Sequence, residues 1–552
     1  MKSSRTLGSW NEKLRKVRGA GSKNVPGDPR ESFTAGSLWT AVGTYVPGSG
    51  LIKGGRRMLA GTVAFGLFLI TLLTLSVWAL VDTRSLLHLA VNAGFLKAMV
   101  VVLPLLTLGW LWLIVQTHLD LKPRGVLTSA QRGISTALVV ALSFSIAAPM
   151  AVASRYAFDQ SRWLDTIFRD GSAIRSGTAP DVNPSDPWKN KPRVNILLLG
   201  GDAGPDREGS RMDTIVLASI DTQTGDTVLL QIPRNAANAP FPKDSPLSEY
   251  YPEGFSSGWS DDPQYMFNNV YDGVPDSVPA DVLGPTDDLG ADAMKLAVGA
   301  ATGQQVDYYA MVDLAGFSKL INALGGVTVN INTWVAMGGD SDAGIPPSKW
   351  MKPGANQHLN GTEALWFARG RYGSNDFQHM DRQRCVIEAA IEQANPGNML
   401  ARYEDIARQS KDIIKTDMPA EILPALVDLG LRVKDGQRDS IVLRNDEHGF
   451  WSGDPDWALV RARMEKAIED QKPKTPEPKP SEKPNDEPPA DPPPGEQPPE
   501  QTPEVQPTTA APPPDTGEPE QPLPPVAPPE DLRTSCEFQP EVAKEELANP
   551  PF

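Results

Sequence analysis

Arg193-Val-Asn-Ile-Leu-Leu-Leu-Gly200 is a continuous apolar run stopped by Gly200-Gly201. Such a run reads as a strand covered on both faces, which requires helices packed above and below a sheet. Asp202 follows at its carboxyl end. Arg211-Met-Asp213 opens a second run, Thr214 to Ile220, and Thr227 to Ile232 forms a third, closed by Pro233-Arg234. Val306 to Val312 and Val327 to Ile331 are further strands. Between them Asp313 is placed to cap a helix whose Leu314, Phe317, Ile321 and Leu324 make one apolar stripe, ended by Gly325-Gly326. Strands alternating with helices predict an α/β sandwich with a mixed or parallel sheet, over residues 190–470.

Ligands of open α/β sheets bind at strand ends. Asp202, Asp213, Arg234, Arg369 and Arg371 all fall at or beside predicted strand ends. Arg369 and Arg371 close the apolar run Ala364-Leu-Trp-Phe-Ala-Arg-Gly-Arg371, followed by Asp376, Arg382, Gln383 and Arg384. On an extended backbone the two arginines share a face and form a pair of forks for phosphate oxygens. Two carboxylates with several arginines suit a magnesium-bridged di-anionic phosphate, with oxygen ligands for a hard cation and guanidiniums for the remaining charge. The plainer alternatives are turn or cap aspartates and surface ion pairs. Other chemistries are thinly represented. The five histidines (88, 118, 358, 379 and 448) show no metal-ligand spacing, and neither a Gly-x-Ser-x-Gly elbow nor a Walker loop occurs. Cys385 falls in an apparent helix, Asp381 to Ala394, which suits packing or bridging better than nucleophilic attack.

Three apolar segments precede this domain, at about 58–81, 98–115 and 133–153, and predict transmembrane helices. Residues 1–57 hold eleven Lys/Arg against three acidic residues and read as a solvated basic tail. The loop between the second and third spans adds Lys122, Arg124 and Arg132 against Asp120. Positive loops face the cytoplasm, so the expected arrangement is a multi-pass membrane protein with a cytoplasmic N-terminus and an extracytoplasmic domain. Through residue 154 the chain has 16 basic and 5 acidic residues, leaving 36 basic and 63 acidic, a net of −27 for the rest. That surface repels nucleic acid, so any anion site must be built locally.

Residues 471–530 are rich in Pro and Glu, lack aliphatic clusters, and predict a disordered, extended spacer before a short segment, 531–552. Both cysteines, Cys385 and Cys536, lie on the expected outer side, where a disulfide tying Asp531–Phe538 to the core is permitted. One buried and one exposed thiol is the alternative. Residues 236–290 form a long insertion in which Tyr250, Tyr251, Phe255 and Trp259 are placed either to stack on sugars or to pack as a surface loop.

In order along the chain stand Asn195-Ile-Leu-Leu-Leu-Gly-Gly-Asp202, Arg211-Met-Asp213-Thr, Ile232-Pro-Arg234, Val306-Asp-Tyr-Tyr-Ala-Met-Val-Asp313, Leu324-Gly-Gly-Val327, Gln357-His-Leu-Asn-Gly361 and Ala364–Arg371. Together they resemble the LytR-CpsA-Psr proteins of bacterial wall assembly. The resemblance implies transfer of a glycopolymer phosphate from a polyprenyl pyrophosphate carrier to a peptidoglycan acceptor, with Mg2+ as cofactor. It also implies Asp202 and Asp213 as metal ligands and Arg234, Arg369 and Arg371 on the pyrophosphate. Arg211, Asp376 and Gln383 would be further substrate-binding residues, and Phe317 and Leu314 lining of a lipid tunnel between sheet and helices. Asp213, Arg234, Arg369 and Arg371 would carry catalysis. Three positions depart from the family pattern: His379 where some members have arginine, Asn235 where many have aspartate, and Met266 where some have lysine. The Pro-rich tail and the cysteines suggest, by analogy, an actinobacterial wall with arabinogalactan as the polymer. Two alternatives share the features: a hydrolase using water on the same site, and a non-catalytic lipid-binding envelope scaffold.

Overall fold

The computed structural model describes residues 32–81, 88–123, 126–168, 175–184, 186–201, 211–259, 262–339, 344–394, 414–445, 447–472 and 527–551. Asp202 and the Pro-rich stretch 473–526 lie outside the described residues.

Among the described residues three helices are long and apolar enough to cross a membrane: α3 (Met58–Val81), α4 (Ala93–Leu121) and α5 (Ser129–Ile167). All three run beyond the apolar cores read from sequence or match them. The extension of α5 is the largest, because Ser154–Ile167 continues the helical pattern with polar residues. At 39 residues it is about 58 Å long, well beyond a bilayer core. Its far end places Trp163 and Leu164 against Leu423 and Leu426 of the domain. His88, before α4, meets Asp428 at 2.9 Å.

The expectation of a solvated tail through residue 57 is corrected for its last part. Residues 33–54 form α1 (Phe33–Tyr45) and α2 (Ser49–Gly54), joined by a turn at Val46-Pro-Gly48. Small residues let this pair pack closely on the spans. Gly43 and Gly50 both face Thr117, and Trp110 donates its indole N–H to the Thr44 carbonyl at 2.9 Å. Reading the net basic charge of the segment as solvation missed its Gly/Thr/Ala composition, which suits helix contacts in lipid.

The domain is built on a seven-stranded mixed sheet in the order β11-β10-β3-β2-β1-β4-β9. Its strands are β1 (Arg193–Gly201), β2 (Met212–Asp221), β3 (Thr227–Gln231), β4 (Tyr308–Asp313), β9 (Ile414–Thr416), β10 (Arg438–Val442) and β11 (Glu530–Asp531). Two-stranded ribbons pair β5 (Val327–Ile331) with β8 (Gly354–Leu359) and β6 (Val335–Met337) with β7 (Lys349–Met351). β1 runs parallel to β4, and β3 parallel to β10, with β2 antiparallel between β1 and β3. The carboxyl ends of β1, β3, β4 and β10 therefore share one edge of the sheet.

Both faces of the sheet are covered, as the apolar runs require. Leu197, Leu199, Ile215, Leu217 and Leu230 pack with Met294 and Val298 of α7 (Leu289–Thr302) and with Val460 and Met464 of α12 (Trp457–Asp470). Val194, Val216, Ala218 and Leu229 face the opposite way, toward α10 (Asp376–Gln393) and α11 (Leu423–Asp435). Asp313 caps α8 (Leu314–Leu324) by accepting from the Gly316 N–H, and Gly325 ends it in a left-handed conformation. In the insertion, α6 (Val270–Ser277) is flanked by an aromatic cluster of Phe241, Tyr251, Phe255 and Tyr265. Tyr251 and Phe255 are thus packing residues, whereas Tyr250 and Trp259 stay exposed.

The last segment is part of the domain. β11 adds to the free edge of β10, Leu532 is fully buried, and Cys536 is bonded to Cys385 of α10. Asn330, Asn332 and Trp334 hydrogen-bond Cys536, Glu537 and Glu546, fixing the chain into α13 (Pro540–Ala548).

Candidate active site

The site lies where the shared carboxyl edge of the sheet meets the start of α10. Asp213 owes its position to a β-bulge. Gly200 pairs with Thr214 and Gly201 with Met212, leaving Asp213 as the extra residue. A bulge re-aims a side chain that regular pleating would point elsewhere. Gly200 is needed here, since a Cβ on it would lie 2.8 Å from the Thr214 Cβ.

Arg234, three residues past β3, reaches Asp213 at 2.7 Å and Asp376 at 3.7 Å. Arg371 meets the same Asp376 oxygen at 3.4 Å. The chain Asp213–Arg234–Asp376–Arg371 therefore alternates in sign across the strand ends. All four side chains are only partly covered, between 20% and 42% exposed, so incoming oxygens can reach them. Arg211 is exposed just before β2.

The extended backbone expected for Arg369 and Arg371 is corrected. Ala364–Arg369 belongs to α9 (Gly361–Arg369), with Arg369 as its last residue. The reason was legible in the sequence. Asn360 and Glu363 form a reciprocal capping box, which starts a helix ahead of good helix formers. Arg369 stacks on Trp366 with 5.2 Å from its guanidinium carbon to the ring centre, and Arg371 joins the ion-pair chain described above. Arg382 explains how Arg371 is delivered. Its buried guanidinium donates to the carbonyls of Phe367 and Gly370 and to Ser374, clasping the turn that carries Arg371.

α10 is anchored from several sides. Glu388 takes a two-pronged pair of hydrogen bonds from Arg438 of β10, both at 2.8 Å, and Arg384 donates to Ser440 at 2.7 Å. Asn375 begins α10 with a second capping box. The helix thus starts five residues earlier than the Asp381 boundary read from the sequence, so Asp376, His379 and Gln383 share one face.

His379 is 3% exposed and its Nδ1 finds no partner among the described residues. Burial pushes its pKa down to about 4, and the charges of Arg382, Arg371 and Arg234 act in the same direction against Asp376. At neutral pH it is an uncharged imidazole in an arginine-rich site. Gln383 accepts from Gln231 at the end of β3 at 2.6 Å.

Past Gln383 the same face of α10 turns apolar, with Ile387 and Ile391 lining a cavity. A cavity of about 540 Å3 runs between the sheet face (Leu198, Ala218, Leu229) and α10 and α11 (Ile387, Leu426), ending against Trp163 of α5. Phe317, expected as tunnel lining, does not line this cavity. It packs on a separate cluster with Ile321, Val327 and Phe367.

Among the described residues no group of three or more His, Cys, Asp or Glu side chains is arranged to hold a metal. The donor chemistry nevertheless suits a hard cation. Asp213 supplies a carboxylate, and the side-chain oxygens of Gln231 and Asn268 are buried without partners among the described residues. Asn268 is fixed beside the site by its backbone N–H on the Arg234 carbonyl.

The LytR_cpsA_psr family model matches residues 167–448, just over half of the chain. The chain belongs to this family. TagU of Oceanobacillus iheyensis, a polyisoprenyl-teichoic acid–peptidoglycan teichoic acid transferase, is 28% identical over 272 residues, or 47% of this chain and 72% of TagU. The cell wall biosynthesis protein LcpA of Corynebacterium glutamicum is 26% identical over 267 residues, covering 43% of this chain and 46% of LcpA. This chain thus spans less than half the length of LcpA. The crystal structure of TagV from B. subtilis aligns with a TM-score of 0.35 at 22% identity, over 50% of this chain and 97% of TagV. The family match ends before α12 and the C-terminal segment.

Proposed function

We propose that this domain moves a phosphate-linked glycopolymer from a polyprenyl pyrophosphate carrier to peptidoglycan at the outer face of the membrane. One observation carries the reading. Asp376, His379, Gln383, Ile387 and Ile391 follow one another on a single face of α10, and that face changes from ionic to apolar. From Asp376 to Ile391 the stripe is about 22 Å long, at 1.5 Å per residue step. It offers guanidiniums to a diphosphate at one end and a greasy channel to an isoprenoid at the other, where Trp163 of α5 leads toward the spans. The excess of Lys and Arg before the first span and between the second and third supports an outer position for this domain.

Binding a diphosphate exchanges internal ion pairs for charge-assisted bonds to its oxygens. Arg234 and Arg371 turn from Asp213 and Asp376 to the phosphates, and the neutral His379 keeps the floor of the site from adding a further fixed charge. Released from Arg234, Asp213 would hold a magnesium ion with Asp202, and the ion supplies neutralisation of charge on the phosphoryl oxygens. The acceptor hydroxyl attacks the sugar-linked phosphorus, the bond from that phosphorus to the bridging oxygen breaks, and polyprenyl phosphate leaves. An aspartate of the site takes the hydroxyl proton.

The test is mass spectrometry of the acceptor, using the full chain in nanodiscs with a lipid-pyrophosphate-linked glycan, magnesium and a peptidoglycan oligomer. An acceptor heavier by one glycan phosphate, and unmodified with Asp213→Ala, is the expected result. Free glycan phosphate with an unmodified acceptor would make the enzyme a hydrolase, and intact donor would reject catalysis on this substrate.

A further inference from the structure

β10 lies beside β3 and parallel to it, so the residues that follow the two strands emerge at the same edge. Arg234 follows β3. Arg444 follows β10, and it opens a second polar concavity next to the first. This cavity, of about 310 Å3, is bounded by Gln378, Asp381 and Arg384 of α10, by Arg444, and by Glu530 and Gln539 of the C-terminal segment. Phe367, Ile331 and Val335 give it an apolar floor.

Its polar groups are held in advance. Arg444 meets Asp381 at 3.0 Å and Glu530 at 3.5 Å, and Arg384 is fixed by Ser440 and paired with Asp381. Arg384 is only 4% exposed, and its Nε has no partner among the described residues. The sign of the lining decides the ligand class. Two guanidiniums face two carboxylates, and the third arginine of the wall, Arg382, donates to two backbone carbonyls and to Ser374. Such a lining does not select a second phosphate. Donors and acceptors set side by side over an apolar floor fit vicinal hydroxyls, each of which donates and accepts, with the ring C–H face below.

We propose that this cavity is a saccharide subsite, completed by the C-terminal segment, that holds a neutral sugar unit of the glycan or the acceptor. The choice of sugar rests on the function proposed above for the neighbouring site. The wall made by Glu530, Ser535, Cys536 and Gln539 lies beyond the family match, which ends at residue 448. The subsite thus joins residues inside the family match with a wall supplied beyond it, a place where polymer or acceptor preference is set.

Saturation-transfer NMR on the full chain in nanodiscs tests this with two soluble probes, chitotriose for an amino-sugar acceptor and a galactose trisaccharide for a neutral polymer. At least one should bind the wild type, and which one binds names the source. Gln539→Trp, at an exposed position on the rim, should abolish that signal. Glu530→Gln, which keeps the shape and changes the acceptor set, should weaken it on the order of tenfold. Phosphorus NMR with inorganic pyrophosphate should read the same affinity in all three proteins, showing that the neighbouring site is intact. Failure of both trisaccharides to bind the wild type, or equal binding by wild type and Gln539→Trp, overturns the proposal. Saccharide binding with no glycan transfer would sink the proposed function and leave the subsite standing.

Discussion

Acidification should destabilise this domain through His379. Its imidazole has a pKa of about 4 in the folded chain against 6.5 for the free side chain. The folded value is the lower one, so the unfolded chain binds the proton more readily. The stabilisation is whole above pH 6.5 and is lost as the pH falls from 6.5 toward 4. Complete loss amounts to about 3.4 kcal/mol, and between pH 7 and pH 5 the loss is about 2 kcal/mol. Burial is the main cause and the guanidiniums of Arg382, Arg371 and Arg234 add to it, against Asp376. A bound diphosphate reverses the sign of the nearby charge and should raise the pKa. With only five histidines in the chain, ring-labelled NMR of wild type and His379→Gln identifies the resonance directly. It should titrate near 4, and move upward when inorganic pyrophosphate is added. Denaturant unfolding should show the stability difference between wild type and His379→Gln shifting by about 2 kcal/mol from pH 7 to pH 5. A His379 resonance that titrates at 6 to 7, with no such shift, would refute the reasoning.

Three further outcomes are expected. Arg234→Ala and Arg371→Ala should each lower turnover by about 10²- to 10³-fold, the scale for losing one charge-stabilising donor; unchanged turnover in both would remove the ion-pair chain from the mechanism. Lys295→Met should cost about 3–5 kcal/mol in denaturant unfolding, because Lys295 and Asp417 are both buried at 2.6 Å and Asp417 also accepts from the Tyr309 N–H. Lys295→Met with Asp417→Leu should recover much of that, and a single-variant cost below about 1 kcal/mol would contradict the pairing. Cys536→Ser opens a covalent loop with a sequence separation of 151 residues, worth up to about 5 kcal/mol by chain entropy. Amides of α13 should then exchange hydrogen much faster, and unchanged protection would show that noncovalent contacts alone hold the segment.

The apolar runs at Arg193–Gly200 and Thr214–Ile220 were legible because a strand buried on both faces has no alternation to confuse. The helix after Asp313 was legible because its cap, stripe and terminal glycine agree. Elsewhere short-range signals fix the element boundaries. The capping boxes at Asn360 and Asn375 set where α9 and α10 begin, and those starts decide that Arg371 arrives by a turn and that Asp376, His379 and Gln383 line up. The Asp213 bulge depends on the register of β2 against β1, a pairing no local pattern states. β10 and β11 escaped notice because five residues and two residues are too few for periodicity to stand out. Their identity as strands comes from the sheet edge they complete.

The bond between Cys385 and Cys536 has a consequence for how this polypeptide answers a protease. Residues 473–526 connect two fixed points of one domain, the end of α12 on one side and β11 on the other. A cut engineered into that stretch would leave two polypeptides that still travel as one molecule. They would part on a denaturing gel only after a reductant is added. Once cut, the molecule would present a new chain terminus at each side of the break, with its C-terminal piece still seated in the sheet.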